Sequence, residues 1–60
     1  GPEFDRQWLT MMIAHHTGAI EMANTELTSG TNTDAKQLAD AIVSAQQAEI
    51  AEMNTLLSEI

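Results

Sequence analysis

The sequence predicts an all-α chain, an antiparallel two-helix hairpin that pairs with a second copy as a four-helix bundle. Three observations lead there. Apolar residues recur at helical spacing in two stretches, one break of turn-forming residues separates them, and each stretch carries an apolar stripe wider than one neighbouring helix can cover. Composition agrees, because Ala, Leu, Met, Gln and Glu dominate while Phe4 and Trp8 are the only aromatic residues.

Taken in order, Gly1-Pro2-Glu3-Phe4 reads as the scar of a protease site and a cloning site, leaving residues 5–60 as a single helical-hairpin domain cut from a longer parent. The first helix is expected over 5–28, carried by Trp8, Met12, His15, Ala19, Met22 and Ala23. Residues 29–33 form the turn. Gly30 suits a left-handed helix C-terminus, and Thr33 followed by Asp34 suits an N-cap and a negative first turn for a second helix over 34–60. So short a connection makes the helices antiparallel.

Size and charge narrow the function. Sixty residues without cysteine cannot be stapled by disulfides, and so short a chain needs a metal, an oligomer or very regular helix packing to be stable. A homodimer or higher homo-oligomer is the simplest supply of extra helices, since an isologous pair buries the same surface twice. The net charge of -7, with only Arg6 and Lys36 positive, removes the electrostatic basis for binding nucleic acid or an anionic membrane and favours cations. No apolar run reaches membrane-spanning length, so no membrane contact is expected of this segment.

The residues that carry chemistry are polar groups inside the apolar stripes. On the first helix these are His15 and His16, which flank a centre line through Met12 and Ala19; on the second they are Gln46 and Glu49, near the centre of the face set by Ile42 and Met53. Antiparallel pairing about a turn near Thr31 places residues whose numbers sum to about 62 at one height. Both histidines then lie level with Gln46 and Glu49, and the thioethers of Met12 and Met53 join the layer. Met11, His15 and Met22 line one edge, Met12 and His16 the other, so two separate sites can be drawn, one around each histidine. Thioether with imidazole suits Cu(I), and a carboxylate or amide widens the choice to Cu(II) or zinc. Two plain readings stand beside this one. Met11 and Met22 can be core filler, and the four polar groups can form a metal-free hydrogen-bond layer that fixes the register of the bundle.

The run Asp5-Arg6-Gln7-Trp8-Leu9-Thr10-Met11-Met12-Ile13-Ala14-His15-His16, continuing through Ala19, Met22 and Ala23, resembles the DUF305 family, whose pattern is an aspartate, an aromatic, then M-I-P-H-H-x-x-A-x-x-M-A. The second helix follows that family's L-A, I, Q-x-x-E-I-x-x-M signature through Leu38-Ala39, Ile42, Gln46, Glu49-Ile50 and Met53. Ala14 stands where the family has proline, Trp8 where it has phenylalanine and Leu56 where it tends to have tryptophan. The resemblance implies a ferritin-like helical bundle and a periplasmic or secreted copper-binding, copper-resistance role. It also implies relatives about twice as long that carry two such hairpins.

Three functions compete. The first is a non-catalytic module that sequesters or passes on copper, with zinc or iron as other possible cofactors and Met11, Met12, His15, His16, Met22, Gln46, Glu49 and Met53 as metal-site residues. The second is a structural or oligomerisation module whose polar layer sets register without metal. The third, a ferritin-like di-iron enzyme, is disfavoured because no glutamate is followed by a histidine three positions later.

Overall fold

Pro2 opens the first helix, because its ring presets the backbone angle of a first turn and its missing N–H would have no partner there. In the computed structural model, which describes the whole chain from Gly1 to Ile60, α1 runs Pro2–Ser29 and α2 runs Thr33–Ser58. Glu3 and Asp5 place negative charge at the positive end of the α1 dipole. The helix thus begins ahead of the start at Asp5 that the apolar pattern gave. α2 ends two residues short of the chain end rather than running to Ile60.

The turn departs from the sequence reading in two ways. Gly30 is not left-handed but extended, with φ -74° and ψ 157°. Its N–H donates to the Glu26 carbonyl at 2.7 Å, and a Cβ at this position would collide with that carbonyl and with the Glu26 side chain. Glycine is therefore needed here for space, not for handedness. The cap of α2 is Asn32, not Thr33: its side-chain oxygen accepts from the Ala35 N–H at 2.8 Å, closing one of the free amides of the first turn. Asparagine is a stronger N-cap than threonine, which accounts for the one-residue shift.

The helices pack antiparallel as a rod with extents of 45 × 14 × 12 Å. Their seam is built from spacings of three and four, as ridges of one helix fill grooves of the other. From α1 it takes Leu9, Met12, His16, Ala19 and Ala23; from α2 it takes Ala39, Ile42, Gln46, Ile50 and Met53. Only Leu9, Ala23, Ala39 and Met53 are buried, and none completely, so the hairpin alone has almost no core.

The two broad sides of the rod differ. Advancing about 100° per residue, one side carries Arg6, Thr10, Thr17 and Asn24 of α1 with Asp40, Ser44, Gln47 and Asn54 of α2, all exposed. Thr10 and Thr17 return their hydroxyls to the Arg6 and Ile13 carbonyls at 2.8 Å. The other side carries every exposed large apolar residue, namely Phe4, Trp8, Met11 and Met22 of α1 and Leu38, Leu56 and Ile60 of α2. Shared grooves fix that these two sets lie on one side, since Met22 and Leu38 line one and Trp8, Leu56 and Ile60 line another.

Replacing Asn32 by alanine leaves the Ala35 amide without its cap and is expected to cost about 1 kcal/mol, read as a fall of about 4–8 °C in the thermal midpoint. Gly30→Ala forces the Glu26 backbone to move and should cost about 1–3 kcal/mol. Denaturant unfolding of the two variants checks both values.

Candidate metal centre

α1 presents its two histidines in different directions, because neighbours on a helix diverge by about 100°. His16 falls on the seam, with its side chain 13% exposed, and reaches Glu49 of α2 with Nε2 to Oε1 at 3.4 Å. Its other ring nitrogen, Nδ1, lies 2.7 Å from the Met12 carbonyl. A carbonyl can only accept, so Nδ1 carries the hydrogen. In the neutral ring, Nε2 then presents a lone pair toward the carboxylate. That nitrogen carries the lone pair a metal ion would use.

At 3.4 Å the contact is a long hydrogen bond or ion pair, wider than the roughly 2.7–2.9 Å of a tight charge-assisted one. An imidazole held by a backbone carbonyl through its far nitrogen is the usual support of a ligating histidine. The donor set around the pair suits a soft or borderline ion. Met12 precedes His16 by one turn and Met53 follows Glu49 by one turn, so antiparallel packing sets both thioethers toward the same end of the seam. Met53 is buried and Met12 half-buried. Gln46, also half-buried, sits on the seam toward the turn.

The remaining candidates lie elsewhere. His15, Met11 and Met22 do not face α2: all three are exposed, Met22 at 76%, on the apolar broad side of the rod. The reason is angular, since they stand about one residue's rotation away from the seam. Glu49 is not central either. Its side chain is 54% exposed, on the margin between the seam and that same broad side. The seam pairs His16 with a residue whose number brings the sum to 65, slightly above the expected 62. No three His, Cys, Asp or Glu side chains converge within the chain; His16 and Glu49 are the pair that meets across the seam. The sequence reading missed the Met12 carbonyl; the spacing of four between Met12 and His16 was the signal for it.

The sequence profile described as "Domain of unknown function (DUF305)" matches residues 1–57, and the chain belongs to that family. Among curated proteins it is similar to an uncharacterized protein of Acanthamoeba polyphaga mimivirus, 44% identical over 55 residues that cover 92% of this chain. The chain spans 36% of the length of that relative. No solved structure matches the chain significantly.

Because Glu49 is largely exposed, removing it tests site against scaffold. Glu49→Ala is expected to change stability by under about 1 kcal/mol, with the helical circular dichroism unaltered. Unfolding of wild type and variant in the presence of a chelator measures this.

Proposed function

We propose that this DUF305 chain is a non-catalytic metal-binding module that sequesters or transfers copper from within a ferritin-like four-helix bundle made of two hairpins. One observation carries the reading. His16 has its Nδ1 committed to a backbone carbonyl, and its Nε2 faces the Glu49 carboxylate across the seam at 3.4 Å. The thioethers of Met12 and Met53, one turn away along the seam, favour copper over a purely hard-ligand ion. The net charge of -7 raises the local concentration of any cation. A compartment outside the cytoplasm, periplasmic or secreted, goes with copper resistance of the kind the family resemblance implies.

A second reading has an observation of its own. Both ring nitrogens of His16 have partners, and no buried side-chain polar atom lacks one. The layer is thus hydrogen-bonded throughout without a metal, a form in which it fixes helix register. A di-iron enzyme draws no support from this arrangement, which offers a single carboxylate beside the imidazole.

Titration with Cu(I) under reducing conditions separates the two. Wild type should bind at least tenfold more tightly than the His15→Ala, His16→Ala double variant, and the ion should raise the thermal midpoint. Affinity should fall as pH is lowered, because a ligating imidazole must be unprotonated. Equal weak binding by both proteins, with a midpoint indifferent to chelator, would leave the register reading in its place.

A further inference from the structure

The apolar broad side ends in bulky residues at both extremes and carries polar groups between them. On α1 the large exposed apolar side chains of this side run from Phe4 to Met22; on α2 they run from Leu38 to Leu56, with Ile60 just beyond the helix end. His15 lies within the first run and Glu49 within the second. Two groups with metal-ligand chemistry therefore stand within a face rich in exposed apolar residues, whose grooves also take in Glu26, Asp5 and Glu59, and Glu49 is already in contact with His16 behind it.

A second copy of this chain is the occupant that fits this face. The rod exposes 4262 Å² of surface, above the roughly 3,800 Å² that size scaling gives for a folded monomer of 6.5 kDa. A face 45 Å long and two helices wide, roughly 20 Å, covers on the order of 900 Å², close to the area each partner buries in a stable interface. Small residues along the middle of the face, Gly18, Ala41 and Ala45, allow close approach of a second pair of helices. Two ways of stacking such faces obey two-fold symmetry. One lays α1 on α1 and α2 on α2, which sets Glu49 against Glu49. The other lays α1 of each copy on α2 of its partner, which sets His15 against Glu49. The second keeps the two Glu49 carboxylates apart and is the one adopted here.

Resting on the metal-binding reading above, we infer that the metal site is completed across this dimer. His16 and Glu49 of one hairpin and His15 of the second copy hold one ion, and the symmetry repeats the site once. Two imidazoles and a carboxylate form a three-ligand N,N,O set suited to Cu(II) or zinc. Met11 and Met22 then serve as interface packing above and below it. The inference also explains why His15 is exposed in a single hairpin while His16 is not.

Complementation between exposed positions tests it. His15→Ala and Glu49→Ala both change exposed side chains, so each variant should keep its fold by circular dichroism. Titrated with Cu²⁺, each alone should bind at least tenfold more weakly than wild type. Refolded together from denaturant in equal amounts, they form mixed dimers in which one site regains all three ligands. Tight binding should return at about one ion per four chains, against about one per chain for wild type, since half of the dimers are mixed and one of their two sites is whole. Sedimentation equilibrium should find wild type dimeric when loaded. Wild-type binding without any recovery in the mixture, or a loaded monomer, overturns the shared site and leaves the metal-binding reading intact. Failure of wild type to bind Cu²⁺ or Cu(I) removes both.

Discussion

A pair of helices can cover one stripe on each member, and both helices of this hairpin carry two adjoining stripes. The first pair of stripes closes on itself as the seam from Leu9 to Met53; the second pair, from Trp8 to Met22 and from Leu38 to Ile60, remains open. Apolar burial drives folding roughly in proportion to area, so four buried residues contribute little against the conformational entropy of ordering sixty. The rest of the molecule follows from that shortfall. Helical regularity, the Asn32 cap and the tight exit at Gly30 keep the two rods in register, and the large apolar side chains of the open pair of stripes stay exposed in the single hairpin.

Polar residues are placed where the two pairs of stripes meet at mid-length. His16 could have been leucine on packing grounds alone, and a buried imidazole costs free energy unless both nitrogens are satisfied. The Met12 carbonyl satisfies one and fixes the ring; Glu49 meets the other from across the seam. The result is a ligand-like nitrogen held rigidly on a helix rather than on a loop, the condition under which a site keeps its geometry.

Much of this was legible in the sequence because periodicity of 3.6 is a strong signal over helices this long. The two helices, their antiparallel pairing and the level of His16 with Glu49 all follow from spacing. Direction around the helix was harder. The stripe on α1 spans two faces, and a wheel alone does not say which edge meets α2, so His15, Met11 and Met22 were grouped with residues that the fold places on a different side. The turn was misread for a different reason. Gly30 is chosen by the steric demand of Glu26, a contact between neighbouring turns that residue preferences do not encode, and Asn32 outcompeted Thr33 because a cap is set by one hydrogen bond.

The two open questions of assembly and metal are one question energetically. In the dimer inferred here, a second copy laid over the apolar side removes water from Glu49, whose side chain is now 54% exposed. Burying a carboxylate with no compensating cation costs several kcal/mol, so the interface that gains most from Trp8, Met22, Leu38 and Ile60 is opposed at its centre. A metal held by His16, Glu49 and His15 of the second copy removes that opposition. By reciprocity, whatever the ion contributes to dimerisation, the dimer contributes to affinity for the ion. In that dimer, a chain with so small a core of its own would have its folding, its pairing and its metal binding linked through a single carboxylate.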